Sequence, residues 1–347
     1  MAHVDKRDPK RCALVNPVRV GLDLDGSLES LRNSMTELAD ELRTRGDCSL
    51  VGFRSRTAAR NTEERSLRGR RLFAPLWERG RGPSIDRQLR DVEVIHLAGV
   101  AIPPVRAIPL ILSVDDLRPL RDDARSRHRA VDLRRCVDRG ARIVVSSRSA
   151  SHEVQEVLQL DRTQFTVVRP PVGSIAPTVD GRRLVVQVTG QGQQFLSLAP
   201  QLVAFCAAQH CDLVVIGSAH FAGVLRTAGV NATFLHRANA TEALRHARLV
   251  VSLSDGARFP AFAVAALAAG VPTLASLTPI NRELLSGAAT LLESDGELVD
   301  AIDDMWTNEA HRSIARAAGF DRAGDFAPHA VAATYASLYA EVARGVQ

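Results

Sequence analysis

The chain has 347 residues with 46% hydrophobic content, enough for two cores, and a net charge of +5 that is almost wholly arginine, the only lysines being Lys6 and Lys10. No apolar run approaches the length of a membrane span, and Met1 to Arg11 is polar and charged, so neither a membrane-spanning nor a signal-bearing chain is expected. The five cysteines (Cys12, Cys48, Cys136, Cys206, Cys211) are odd in number and contain no CxxC pair, which disfavours a disulfide framework or zinc site and favours a reducing cytoplasm.

After a flexible tail over 1–17, Val18 to Leu24 reads as a strand that turns at Asp25-Gly26. An amphipathic helix follows, with Leu31, Met35, Leu38 and Leu42 on one face. Further strands are predicted at Ser49 to Phe53, Val92 to Leu97, Leu110 to Val114, Ile143 to Ser146 and Phe165 to Val168, and helices at Arg125 to Arg139 and Ser149 to Leu158. Pro170-Pro171 and the segment to Gly181 read as a linker, after which the pattern restarts. Strands are predicted at Leu184 to Val188, Leu213 to Ile216, Ala232 to Leu235, Leu249 to Leu253 and Thr273 to Ala275. Helices are predicted at Leu196 to Gln209, Phe221 to Thr227, Ala240 to Ala247, from Pro260 to Gly270, Glu297 to Thr307, Glu309 to Ala317 and His329 to Val346.

This alternation predicts an α/β chain with mainly parallel sheets: a Rossmann-like domain over 18–172, a second over 173–328, and a terminal helix within 329–347 that packs back towards the first. Between Arg54 and Arg90 eleven arginines face four acidic residues, with Leu72, Phe73, Leu76 and Trp77 among them; a second basic cluster runs from Arg118 to Arg142. A solvated surface accounts for such clusters, and so does a patch for lipid headgroups or phosphorylated acceptors. No recognition module accompanies the charge, so nucleic acid is not expected as a partner.

Several segments carry a resemblance when taken in order: Val20-Gly-Leu-Asp23, Leu112-Ser-Val-Asp-Asp-Leu-Arg-Pro-Leu120, Val144-Val-Ser-Ser-Arg-Ser149, Val168-Arg-Pro-Pro-Val172, and Gly190 with the run to Ala204-Phe205. Leu249-Val-Val-Ser-Leu-Ser-Asp-Gly256, Ala269-Gly-Val-Pro-Thr-Leu-Ala-Ser276, Glu283 with Gly287-Ala-Ala-Thr-Leu-Leu292, and Arg322-Ala323 with Phe326 continue it. Together they resemble the retaining glycosyltransferases of family 4. The resemblance implies a GT-B fold, in which two Rossmann-like domains with parallel sheets face a central cleft. It also implies sugar transfer from a nucleotide-sugar co-substrate to the hydroxyl of a glycan or lipid-linked acceptor, with no metal and no other cofactor.

Against that pattern the donor-site chemistry is depleted. The family's arginine and lysine, which steady the leaving diphosphate, fall on Phe195 and Leu196; each lost charge-assisted contact costs on the order of 2–4 kcal/mol. The first family glutamate maps onto Asp255. The second should lie on Ala261-Phe-Ala-Val-Ala-Ala-Leu-Ala-Ala269, which holds no carboxylate in any register. The family's histidine near the donor sugar is replaced by Asp115, and the glycine-rich turn after the first strand is reduced to Gly26-Ser27.

If the chain is active, the resemblance assigns Asp255 and Asp115 to the sugar. Gly26, Gly190, Gly256, Arg258 and Ser218 then line the donor side, with Arg258 as the replacement cation and Ser218 otherwise a helix cap. His96 and Arg169 border the cleft as acid–base or phosphate-binding candidates, against packing and a linker ion pair as ordinary roles. Ser146 and Ser149, at strand ends, are candidates to donate to phosphate or sugar, with helix capping as an equal account, and Glu283 belongs either to the family block or to the start of a helix. The expectation is a cytoplasmic protein, peripheral at the inner face of the membrane if the 54–90 segment binds it. It acts either as a transferase of impaired activity or as a non-catalytic module that binds glycan or scaffolds an active glycosyltransferase partner.

Overall fold

The computed structural model describes residues 17–25, 29–77, 81–100, 102–115, 124–161, 164–173, 175–176, 181–190, 192–254 and 258–345. The first half runs β1 (Val18–Asp23), α1 (Glu29–Thr44), β2 (Cys48–Arg54), β3 (Arg65–Ser66), α2 (Arg70–Trp77), β4 (Val94–Ala98), β5 (Leu110–Ser113), α3 (Ala124–Asp138), β6 (Arg142–Val145), α4 (Arg148–Leu158) and β7 (Phe165–Val167). Its strands form one sheet in the order β3-β2-β1-β4-β5-β6-β7, every neighbouring pair parallel. Every residue of β4 and β5 is buried, as helices on both faces of a parallel sheet require.

The second half contains β8 (Arg183–Val188), α5 (Gln193–Ala208), β9 (Asp212–Gly217), α6 (Ala219–Thr227), β10 (Thr233–His236), α7 (Ala240–Leu244), β11 (Ala247–Leu253), α8 (Ala261–Ala268), β12 (Thr273–Ser276), α9 (Pro279–Leu285), β13 (Thr290–Leu292), α10 (Leu298–Thr307), α11 (Glu309–Gly324) and α12 (Pro328–Ala343). Its sheet, β10-β9-β8-β11-β12-β13, is again wholly parallel and repeats the strand order of the first. Such a doubly wound order opens a crevice at the carboxyl ends of its central strands, here β8 and β11. Among the described residues, no helix is long and apolar enough to cross a membrane.

The chain crosses between the halves twice. The first crossing is the segment 170–173, and the second is the corner from α11 into α12; the Val172 amide donates to the Phe326 carbonyl at 2.9 Å and joins them. Beyond that corner α12 lies on α1, β1 and β4, burying Val331, Tyr335, Leu338 and Tyr339 in one cluster with Val20, Leu22 and Leu38.

Several elements differ from expectation. β3, α2, α9 and β13 are short, and none has the length that periodicity needs to register. Helix α7 ends at Leu244, and the chain is already in β11 at Ala247. Helix α11 continues past Ala317 to Gly324, through Gly319, whose missing Cβ would stand 3.2 Å from Leu267 of α8. Glycine there permits close packing of two helices and does not end one.

Candidate functional site

A cavity of about 540 Å³ opens between the halves. From the first half it is lined by Asn33, Ser34 and Glu37 of α1, and from the crossing by Pro171, Val172 and Gly173. The second half supplies Gln187 and Thr189 at the end of β8, Ser252 and Ser254 at the end of β11, Arg237, Arg258 and the amino-terminal part of α8.

The polar floor is hydrogen-bonded to itself. Ser252 Oγ donates to Gln187 Oε1 at 3.0 Å, and the Thr189 amide and hydroxyl both donate to the Leu253 carbonyl at 3.2 Å. These contacts hold the ends of β8 and β11 together beneath the cavity. Gly190, with φ of +66°, and Gly192, with φ of +74°, turn the chain into α5. A Cβ on Gly192 would stand 2.2 Å from the Phe221 ring, so the turn closes over an aromatic side chain that only glycine can approach.

Phe195 is fully buried and meets Phe221 edge-on, with ring centroids 5.8 Å apart, while Leu196 packs against the same core. Phe195 faces inward on α5, where a guanidinium or ammonium would be desolvated without a partner, and Leu196 is half-buried beside it. Arg237, just after β10, lines the cavity and donates from Nη2 to the Val188 carbonyl at 3.5 Å. Its Nε is buried and, among the described residues, has no hydrogen-bond partner. Arg258 lines the same cavity, half-buried. Sequence reasoning missed Arg237 because no motif surrounds it; it becomes visible only once β10, at the sheet edge beside β9, brings it within reach of the Val188 carbonyl in β8. It also missed Glu37, two turns into α1. The cavity-facing residues of α8 are Ala261, Phe262 and Ala265, none of them acidic.

The remaining predicted residues are distributed as follows. Asp255, Gly256 and Gly26 lie outside the described residues. Asp115 is half-buried at the end of β5 and lines a small neighbouring cavity of about 20 Å³, which shares Ser34 with the main one. It lies near Tyr335, whose phenol is pushed up to about 12 by burial, with the Asp115 carboxylate adding to the rise and the hydrogen bond to Ser113 opposing it. Ser218 is the N-cap of α6, its Oγ accepting from the Phe221 amide at 3.3 Å, and it does not line the cavity.

His96 is not a cleft residue. It is fully buried in the middle of β4, with Nδ1 2.7 Å from Tyr339 Oη and Nε2 2.7 Å from Ser113 Oγ. Burial drives its pKa down to about 3, so it is neutral and anchors α12. The partner comes from the far end of the chain, beyond the reach of local sequence pattern.

Arg169 likewise serves the crossing: Nη1 is 2.9 Å from Asp325 Oδ2, and the guanidinium lies 5.6 Å from the centroid of Phe326. With Ser146, Arg148 and Glu283 it lines a second cavity of about 570 Å³ on the other side of the crossing.

The turn after β1 holds a further polar cluster that the sequence suggested only as Asp25-Gly26. Asp25 accepts from the Arg56 and Thr57 amides at 2.7 Å each, from Thr57 Oγ1 at 2.6 Å and from Arg54 Nη1 at 3.1 Å. Burial raises its pKa, but these donors outweigh burial and leave it below the ordinary carboxylate value. Arg54 also pairs with Glu64, 2.6 Å from Nε to Oε2, and is 3% exposed, so the first arginine of the basic segment is an internal strut. Arg65 is likewise paired, 2.7 Å from Asp91.

No protein-family model and no curated protein matches the chain. Solved structures do. WaaG, a glycosyltransferase involved in lipopolysaccharide biosynthesis, superposes with a TM-score of 0.67 at 14% identity over 92% of this chain and 99% of its own. HepE of Anabaena, in complex with UDP and glucose, gives 0.69 at 14% identity over 93% and 100%. Sucrose-phosphate synthase of Thermosynechococcus elongatus gives 0.69 at 15% identity over 94% and 100%.

The fold is that of the GT-B glycosyltransferases. In GT-B terms the 540 Å³ cavity is the interdomain cleft, floored by the second domain's strand ends and roofed by α1 of the first.

Proposed function

We propose that this GT-B chain binds a nucleotide-sugar in the interdomain cleft and descends from retaining transferases that pass the sugar to the hydroxyl of a glycan or lipid-linked acceptor. The observation that carries this reading is that two arginines, Arg237 and Arg258, line a cavity at the ends of β8 and β11. The UDP and UDP-glucose found in HepE agree with this chemistry. In this reading Arg237 and Arg258 neutralise the diphosphate in place of the cations absent at Phe195 and Leu196. The Gly190 turn lets the backbone approach it, and Asp255 and Asp115 belong to the sugar side. No metal is required, because the guanidinium groups supply the positive charge.

Calorimetric titration with uridine, guanosine and adenosine diphosphates and their sugars tests this. Micromolar binding is expected, weakened about tenfold to a hundredfold by Arg237→Ala or Arg258→Ala, the worth of about 1.5–3 kcal/mol for a hydrogen bond to a charged group. Absence of binding by every nucleotide would sink the donor reading. It would favour the second one, a non-catalytic module that binds glycan or scaffolds an active transferase. The apolar inward face of α5 and the acid-free cleft face of α8 support that alternative.

A membrane role belongs to the same reading, as peripheral attachment of a cytoplasmic protein, and narrows to α2. Leu72 and Leu76 are 71% and 38% exposed there, beside exposed Arg68, Arg71 and Arg81, none of which is ion-paired among the described residues. Apolar side chains ringed by unpaired arginines match an anionic lipid surface. Flotation with vesicles rich in anionic lipid should recover the protein at low salt and lose it at high salt or in the Leu72→Asp, Leu76→Asp double variant. Equal recovery under all of these conditions would refute the attachment.

A further inference from the structure

Glu283 makes contacts that a helix-start acid does not need. It projects from α9 in the second domain and reaches α4 in the first. Its Oε1 accepts from the Arg148 amide at 2.7 Å, and its Oε2 accepts from the Ser149 amide at 2.9 Å and from Ser149 Oγ at 3.0 Å. The first amides of a helix have no partners within the helix, and the helix dipole favours an anion beside them. Ser147 Oγ takes the Ala150 amide at 3.0 Å as an ordinary N-cap. The Arg148 and Ser149 amides are left, and a carboxylate from the other domain takes both. Burial raises the pKa of Glu283, but the amide and hydroxyl donors outweigh burial and leave it below the ordinary range.

The contact is separate from the crossing. At the crossing, Val172 binds Phe326 and Arg169 binds Asp325, and α12 beyond it is fastened to the first domain by Tyr339 and His96. Rotation of the second domain about this corner leaves the crossing intact but pulls Glu283 from α4. Glu283 and Ser149 are both half-buried, so water can replace each on opening.

We propose that Glu283 is an interdomain latch: its carboxylate, seated on the amino terminus of α4, holds the domains in the arrangement that sets Arg237 and Arg258 opposite Ser34 and Glu37. It is a positioning residue and touches no part of the cleft cavity. The latch stands whether or not the cleft takes a nucleotide, since its test needs none.

Small-angle scattering and amide hydrogen exchange on the full chain decide it, using wild type, the isosteric Glu283→Gln and the double variant Glu283→Ala, Ser149→Ala. The latch predicts a larger radius of gyration in the double variant, an intermediate one in Glu283→Gln, and exchange at Arg148 and Ser149 faster by about tenfold or more. Exchange in β5 and β11 should be unchanged, which shows that both variants are folded. Scattering curves identical to wild type would overturn the latch even if the two amides exchange faster, because Glu283 would then cap a helix without holding the domains.

Discussion

Asp23 is a buried side chain whose ionisation bears directly on stability. It is 4% exposed at the end of β1 and accepts from the Asp25 amide at 3.0 Å and from Ser55 Oγ at 2.9 Å. Burial pushes its pKa up to about 6, more than its hydrogen bonds recover, and the neighbouring Asp25 carboxylate adds to the rise. The unfolded chain ionises near the ordinary value of about 3.9. Between about pH 4 and pH 6 the unfolded state therefore gives up its proton first, and the native state loses stability as pH rises. The full loss is about 3 kcal/mol and is complete above the folded pKa. Asp23→Asn removes that titration: its amide oxygen still accepts from Asp25, and its NH2 donates to Ser55 Oγ. Urea unfolding at pH 4 and pH 7 should show the variant gaining on wild type by about 2–3 kcal/mol between the two. A constant difference would mean that Asp23 is charged throughout.

At the scale of elements, what the sequence made legible follows physical rules. Strands β4, β5, β9 and β11 announce themselves because a parallel strand covered on both faces is a near-continuous apolar run, interrupted here by buried His96 in β4 and Ser252 in β11. α1 was legible from Leu31, Met35, Leu38 and Leu42, all of them 4% exposed or less. The two-residue β3 and the seven-residue α9 were not, being too short for any period. The cleft was half legible. The Gly190 turn and Arg258 are local features of the chain, and both lie where the second sheet's central strands end. Arg237 was illegible because it reaches β8 across the intervening β9, and the contact of Glu283 was illegible because its partners are 134 and 135 residues away. That Phe195 and Leu196 are apolar was legible, but what they pack against was not. Phe195 fills the core beside Phe221, so a basic residue restored there would bury a charge without restoring a phosphate site.

Across the whole molecule, sequence order and domain membership part company at α12. The helix follows the entire second domain, yet its buried face completes the core of the first. Tyr339 is fully buried against that sheet, with its hydroxyl on His96, and Tyr335 reaches Ser113 at 3.3 Å. Truncating Tyr339 removes a large core side chain and leaves His96 with one hydrogen bond fewer. Tyr339→Ala should therefore cost about 3–5 kcal/mol, and the cost should fall on the domain farther away in sequence. Residue-resolved hydrogen exchange separates the two cases. Faster exchange in β1 and β4, with β8 and β11 at their wild-type rates, is expected if α12 belongs energetically to the first domain. Equal acceleration in both sheets would mean that the halves unfold as one cooperative unit. The crossing at Phe326 and the Glu283 contact would then couple them more strongly than a hinge and latch should.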